Sequence, residues 1–169
     1  MNSSTRNFIL VSFLSIIISR LIPHPPNFTS TIAIAFYVPA LFGIKFIIVA
    51  ITAFIISDLF IGTHQLILFT WGSLLFIGLL SKYFNKKYYR ILGVSFSCLV
   101  FFLISNFGVW LLGDLYTKNL AGIFSCYAMG LPFLLNSLIG TLVLSVMFEY
   151  TISLNTTKQF IKKVNIGFN

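Results

Sequence analysis

Apolar segments of membrane-spanning length recur along almost the whole chain, and this recurrence constrains the fold more than any single motif. Clear candidates cover residues 7–22, 65–83, 91–113 and 130–154, each close to the roughly 20 residues that a helix needs to cross a bilayer. The chain is 58% hydrophobic, 8% charged and holds 20 Phe, more apolar surface than a soluble domain of this size can bury. The sequence therefore predicts an all-α integral membrane protein.

The apolar region 29–60 is too long for one ordinary span, and its two halves, divided at Gly43-Ile44-Lys45, are short. About 14 residues of helix cover only about 21 Å. The basic residues decide between one span and a helical hairpin, because cytoplasmic connections carry an excess of Lys and Arg. With a hairpin, only Arg20 and Lys118 fall outside, and the basic residues inside are Arg6, Lys45, Lys82, Lys86, Lys87, Arg90, Lys158, Lys162 and Lys163. We predict six transmembrane helices with both termini cytoplasmic.

The predicted domain organisation is simple. Residues 1–157 form a single six-helix transmembrane domain, and residues 158–169 form a basic cytoplasmic tail, interpreted as a solvated end close to anionic lipid. The net charge of +8 is explained by this topology, so we expect the lipid bilayer as a partner and no nucleic acid.

The six-span topology gathers polar residues at the outer end of the bundle. The outer connections contain "RLIPHPPNFTS", "SDLFIGTHQ" and "GDLYTKNLAGIFSCYAMG". Short second and third helices leave room for a depression there, with a rim stiffened by three prolines. The predicted substrate-binding residues are Arg20, His24, Asn27, Asp58, His64, Asn106 and Asn136.

Each of these residues also has a purely structural interpretation. Arg20 and Asp58 could form an ion pair that holds helix ends together, since charges inside a membrane tend to be paired. His24 lies between prolines and could cap a loop, while His64 could simply be solvated. The two amides, Asn106 and Asn136, could join helices by hydrogen bonding.

The start of the last span leaves two alternatives open. Pro132 is expected in the first turn of that helix, where proline is well tolerated. The preceding run "NLAGIFSCYAMG" fits either an amphipathic lid lying on the outer surface or an extended loop.

Catalytic and metal-binding signatures are missing from the sequence. It has no phosphate-binding loop, no His-Glu-x-x-His motif and no paired carboxylates, so we expect no enzyme, and energy for transport must come from elsewhere. Cys98 and Cys126 lack zinc-ligand spacing, and we predict neither a structural metal nor a cofactor. An enzyme using His24, Asp58 and His64 is the weakest hypothesis, because their spacing fits no catalytic template.

Four stretches resemble motifs of a bacterial membrane-protein family assigned only in general terms to transport and related to the S components of energy-coupling factor (ECF) transporters. They are "RLIPHPPNFTSTIAIAF", "ISDLFIGTH", "LISNFGVWLLGDLY" and "LAGIFSCYAMGLPFLLNSLIG", and they span about residues 18–141. The resemblance implies an S-component-like bundle in the bacterial cytoplasmic (inner) membrane. It also implies a small-molecule ligand, a vitamin above all, and an ECF-type energising module as a candidate partner.

The expected function is therefore vitamin capture and uptake through an outward-facing pocket. Solitary S-component-like carriers bind cobalamin through a cysteine that ligates cobalt, so the resemblance makes cobalamin the first vitamin to test. His24, His64 or Cys126 would be the cobalt ligand, since imidazole and thiolate both suit this metal. The alternative is a membrane scaffold of S-component-like fold without transport activity, which has no need for a polar outer pocket.

Overall fold

The computed structural model describes residues 3–84 and 86–167, and all regular structure in these two ranges is helical. The helices are α1 (Ser3–Leu21), α2 (Thr31–Phe42), α3 (Ile47–Ile61), α4 (Ile67–Ser81), α5 (Lys87–Leu112), α6 (Leu120–Ser153) and α7 (Asn155–Gly167). Three helical segments of the described chain are long and apolar enough to cross a membrane: Ile44–Ile61, Tyr88–Leu112 and Leu120–Ser153. The prediction of a helical membrane protein agrees with this architecture.

Large apolar side chains are exposed along the outer surface of the bundle. Examples from five different helices are Val11, Ile48, Leu68, Phe96 and Val146, of which Leu68 is 81% exposed. A continuous apolar surface of this kind is unfavourable in water and favourable against lipid tails. The exposed surface therefore supports the same conclusion as helix length.

The region 29–60 is divided into two helices, as predicted, and the division falls where the sequence indicated. The N–H of Gly43 donates to Pro39 O at 3.0 Å and ends α2. Gly43 has φ +101°, a value that L side chains rarely adopt, so glycine allows the chain to leave the helix. A short 3-10 turn, Ile44–Phe46, then leads into α3.

Helix α2 lies at the centre of the bundle and contacts α3, α4, α5 and α6. Ten of its 12 residues are buried, as expected of a helix that is apolar on all sides. Twelve residues extend only about 18 Å, less than the roughly 30 Å hydrocarbon core. Because α2 is short, the surrounding helices extend beyond its first residue, Thr31.

The structure corrects the prediction for the start of the last span. Residues 120–153 form one continuous helix, so the segment before residue 130 is neither a separate surface lid nor an extended loop. Asn119 is the N-cap, and its side chain accepts from the N–H of Gly122 at 2.9 Å. Pro132 lies inside the helix rather than in its first turn. The helix forms because the cap at Asn119 starts it upstream, at the loss of one internal hydrogen bond.

The interpretation of the C-terminal tail as a solvated end is also wrong for part of its surface. The predicted boundary at 157/158 falls within α7, whose apolar residues recur on one face. Val164 is 3% exposed, and the ring of Phe160 lies 6.1 Å from that of Phe8 and 5.8 Å from that of Phe42. Helix α7 therefore packs across the ends of α1 and α2, with Lys158 exposed on its other face.

Candidate functional site

A cavity of about 570 Å³ opens at the end of the bundle where α2 begins. It lies between α1, α3 and α4 on one side and α5 and α6 on the other, with Thr31 and Ile32 of α2 at its base. The connection between α1 and α2 contributes residues to its lining. The volume is in the range of pockets that bind small molecules.

The cavity brings together most of the predicted binding residues. Its lining includes Arg20, His24, Asn27, His64 and Asn106, together with Cys126. Two predicted residues lie outside the lining: Asp58 is buried behind Arg20, and Asn136 contacts the connection between α1 and α2. Whether these residues bind a ligand stays a prediction.

Arg20 is held in place by three hydrogen bonds that it donates to residues of α3. Its Nη2 donates to Asp58 Oδ1 at 2.6 Å, and its Nη1 donates to Phe54 O at 3.1 Å and to Ser57 Oγ. The guanidinium carbon also lies 3.7 Å from the centroid of the Phe54 ring, within cation–π distance. These contacts leave two of the five guanidinium N–H groups for other acceptors. Arg20 therefore forms the ion pair with Asp58 and also lines the cavity.

Trp71 completes this network, although no sequence pattern pointed directly to its role. Its indole Nε1 donates to Asp58 Oδ2 at 2.7 Å, so both oxygens of a carboxylate that is 1% exposed accept a hydrogen bond. The only available signal was a tryptophan in the middle of an apolar span, where the indole N–H needs a partner. Through Asp58, helix α4 supports the position of Arg20 on α1.

The connection between α1 and α2, residues 22–30, forms the rim of the cavity and is attached on both sides. On the α1 side, Ser30 Oγ donates to Ser15 O at 3.0 Å and lies 2.9 Å from Ser19 Oγ. On the α6 side, Asn136 Nδ2 donates to Pro26 O at 3.0 Å. Asn136 thus positions the rim rather than lining the cavity.

A tight turn within the rim fixes its local shape. The N–H of Phe28 donates to Pro25 O at 3.0 Å, and the N–H of Thr29 donates to Asn27 O at 3.0 Å. Asn27 has φ 64°, a left-handed conformation that asparagine adopts more readily than most residues. Phe28 packs on α6, where a Cβ at Gly140 would lie 3.2 Å from its ring. Asn27 therefore has a structural role in addition to its lining position.

Both histidines use Nδ1 for local contacts. His24 Nδ1 donates to Pro25 O at 2.7 Å. The N–H of Leu66 donates to His64 Nδ1 at 3.2 Å, so that nitrogen carries no proton in this arrangement. In each ring, Nε2 is the nitrogen left for a ligand.

The opposite wall depends on close contact between α5 and α6. Asn106 Nδ2 donates to Phe102 O of its own helix at 2.9 Å. A Cβ at position 130 would lie 2.6 Å from Asn106 Oδ1, so Gly130 permits this approach. Cys126 is 1% exposed, and its Sγ contacts Asn106 O at 3.4 Å. In residues 3–84 and 86–167, no group of three or more His, Cys, Asp or Glu is arranged to hold a metal ion.

A family model matches residues 1–162, which is almost the whole chain. The chain belongs to a family of unknown function (DUF6580). No curated protein and no solved structure matches it. Membership of the family of unknown function assigns no activity, and the relation to S components stays a prediction.

A second buried ion pair lies at the other end of the bundle. Arg90 Nε and Nη2 donate to Glu149 Oε1 and Oε2 at 2.7 and 2.8 Å, and the two residues are 8% and 5% exposed. The pair joins α5 to α6 with bidentate geometry. Sequence reasoning grouped Arg90 with the basic residues of the α4–α5 region and gave it no partner. Two of the three acidic residues of the chain are thus in buried ion pairs.

Proposed function

We propose that this protein is an uptake protein of the bacterial cytoplasmic membrane that captures a vitamin or similar small molecule in the outer cavity. The observation that carries the proposal is the cavity itself, which has a volume of about 570 Å³, is partly polar and is lined by five of the predicted residues. A membrane scaffold would have no need to keep polar side chains around such a space. The cavity therefore supports uptake over the scaffold alternative.

The proposed topology has six transmembrane helices and cytoplasmic termini. Support comes from the positions of exposed lysines: Lys45, Lys82 and Lys86 lie at the ends of helices away from the cavity. At the cavity end, Arg20 is ion-paired, and Lys118 Nζ donates to the backbone oxygens of Trp110 and Gly113. Since cytoplasmic connections are rich in Lys and Arg, the cavity faces outward.

The chemistry of the lining limits the ligand. Phe54, Phe101 and Phe133 provide aromatic surface, and no acidic side chain of the described chain lines the cavity. The charge of Arg20 is compensated by Asp58, so an anionic group on the ligand is not required. A carbonyl or hydroxyl oxygen could accept from the remaining N–H groups of Arg20. The lining suits a partly aromatic molecule with hydrogen-bonding oxygens.

Ligand size separates the candidate vitamins. A cavity of about 570 Å³ accommodates a drug-sized molecule. A corrin ring with its nucleotide loop is larger and would bind with much of its bulk above the rim. His24, His64 and Cys126 all line the cavity, so cobalamin stays in the test panel, but a smaller vitamin fits the enclosed space better.

Inward release requires energy that this chain does not supply, because its sequence lacks a nucleotide-binding motif. An ECF-type energising module is the partner that the family resemblance implies. In this proposal, the chain binds the ligand and the module drives its release into the cell.

A cavity-filling variant tests the proposal. Ser105 lines the cavity, and its hydroxyl donates only within its own helix, to Phe101 O and Phe102 O. Ser105→Phe should therefore fill the cavity at little structural cost. Ser125→Phe is the matched control, because Ser125 is exposed on α6 and its hydroxyl also donates within its own helix, to Ala121 O.

The measurement is a thermal-shift assay of the detergent-purified protein with a panel of water-soluble vitamins, cobalamin included. We expect at least one vitamin to raise the melting temperature of the wild type and of Ser125→Phe but not that of Ser105→Phe. The uptake proposal fails if no vitamin stabilises the wild type at millimolar concentration, or if Ser105→Phe responds like the wild type.

A further inference from the structure

The acidic residues of this chain are few, and each is either already paired or distant from the cations at one end of the bundle. The chain has 3 Asp+Glu against 11 Lys+Arg. Asp58 and Glu149 are committed to buried ion pairs. The third, Asp114, follows α5 at the cavity end. No acidic side chain is left for the cations at the end opposite the cavity.

We call that opposite end the basic end and define it by its exposed cations. These residues come from the start of α1, the turn between α2 and α3, the α4–α5 connection and α7. They are Arg6, Lys45, Lys82, Lys86, Lys158 and Lys162, and all six are exposed. Clustered like charges of this kind repel one another unless counter-ions from outside the chain lie between them.

Exposed tyrosines accompany these lysines on the α4–α5 connection. Tyr83 and Tyr88 are each 70% exposed, and Tyr89 is 51% exposed. The Nζ of Lys82 lies 4.9 Å from the centroid of the Tyr83 ring. Rings with a polar tip favour the boundary between lipid tails and water. The mixture of lysine and tyrosine therefore fits the headgroup layer of a membrane better than an acidic protein surface.

Helix α7 contributes two further exposed lysines to the basic end. Its apolar residues Phe160 and Val164 are already packed against the bundle, so this face is not free to insert into lipid. Lys158 and Lys162 are four residues apart and exposed on the other face. Helix α7 is held across the ends of α1 and α2, where headgroups surround a membrane protein.

We propose that the basic end binds anionic phospholipid headgroups, with the α4–α5 connection as the principal site. The ammonium groups of Lys82 and Lys86 would pair with phosphate oxygens, and the flanking tyrosines would lie at the depth of the glycerol backbone. This inference does not depend on the ligand of the outer cavity.

Thermal stability in defined lipid tests the proposal. The purified protein is melted after addition of phosphatidylglycerol or of phosphatidylcholine, which share acyl chains but differ in headgroup charge. We expect phosphatidylglycerol to raise the melting temperature, phosphatidylcholine to have little effect, and salt near 0.5 M to reduce the difference, since roughly this concentration screens exposed charges.

The variant for this test is Lys82→Gln/Lys86→Gln, and Lys118→Gln is the control, in which the same substitution removes one exposed lysine at the cavity end. Native mass spectrometry should show phosphatidylglycerol binding weakened about thirtyfold in the double variant and retained in the control. If the double variant does not fold, Lys158→Gln/Lys162→Gln is used, with a smaller loss expected.

Three outcomes would overturn the proposal. The two lipids could stabilise the protein equally, or the double variant could retain phosphatidylglycerol as the wild type does. Alternatively, an acidic protein could co-purify in stoichiometric amount and bind through the same lysines, in which case the basic end serves a protein partner.

Discussion

Trp71 donates its indole N–H to Asp58, with 2.7 Å between Nε1 and Oδ2. Together with the Arg20–Asp58 ion pair, this hydrogen bond forms a network that joins three helices. Asp58 accepts from α1 through Arg20 and from α4 through Trp71 while it belongs to α3. Both oxygens of this buried carboxylate therefore have a hydrogen-bond donor, as is usual for buried polar groups. The wall of the cavity near α1 therefore depends on a tryptophan that does not line it.

Replacing Trp71 with Phe should destabilise the ligand-free protein, because the ring is kept but Asp58 Oδ2 loses its donor. An unsatisfied buried acceptor costs about 1–3 kcal/mol. The measurement is the melting temperature in detergent. Trp110→Phe is the control, since Trp110 Nε1 donates to Thr117 O at an exposed position where water can replace the lost donor. Equal destabilisation by the two substitutions would contradict the role given to Trp71.

Single and combined replacements separate the two roles of Arg20. Arg20→Met should cost about 3–5 kcal/mol, because it leaves the buried carboxylate of Asp58 unpaired. Asp58→Leu should cost less, because Arg20 lines the open cavity, where water can solvate its charge. Combining both changes with Trp71→Phe removes the two charges and the indole N–H that bonds to Asp58, while Ser57 Oγ still donates to Phe54 O. The triple variant should therefore recover most of the stability. Ligand binding is then measured on the stable triple variant. Full binding would show that Arg20 only holds helices together, whereas lost binding with restored stability is the result we expect.

The rim should act through its stiffness. Pro25→Gly/Pro26→Gly keeps the carbonyl of residue 26 that accepts from Asn136 but lets the segment sample more conformations before binding. We expect weaker ligand affinity and a nearly unchanged melting temperature of the empty protein, because a surface connection contributes little to helical packing. His24→Ala should also weaken binding. A lower melting temperature with normal affinity would instead identify the rim as a structural linker.

Topology can be tested by labelling single cysteines in intact cells. The background is Cys98→Ala/Cys126→Ala, which removes two buried thiols, and the test sites are Lys86→Cys and Lys118→Cys. We expect an impermeant maleimide to label position 118 and not position 86, since the proposed topology puts the basic end on the cytoplasmic side. Labelling of position 86 alone would show that the topology is inverted.

Sequence patterns predicted helix positions well where a break in the pattern has a local cause. The division of α2 from α3 was readable because Gly43 and Lys45, only two positions apart, interrupt an otherwise apolar region. The start of α6 was misplaced because Pro132 resembles a first-turn proline, while the effective cap, Asn119, lies 13 residues upstream. A cap is a single side-chain contact and leaves a weaker trace in hydropathy than a proline does.

The sequence predicted which residues lie at the cavity end of the bundle, because that depends only on the order of the helices and their connections. Arg20, His24 and His64 reach the cavity because their connections are all at that end. The roles of Trp71 and Asn136 were not predictable, because they depend on which helices are neighbours and how each is rotated. A helix that is apolar on every face has no polar side to show which face packs against the bundle, so its sequence does not tell which helices it contacts or how it is rotated.

Occupancy of the cavity by a small molecule can be observed by native mass spectrometry of the protein purified in mild detergent from its own cells. We expect a discrete non-protein mass on the wild type and on Ser125→Phe that is absent from Ser105→Phe and is released by unfolding. The same adduct on Ser105→Phe, or no adduct on any of the three proteins after vitamin supplementation, would contradict this expectation.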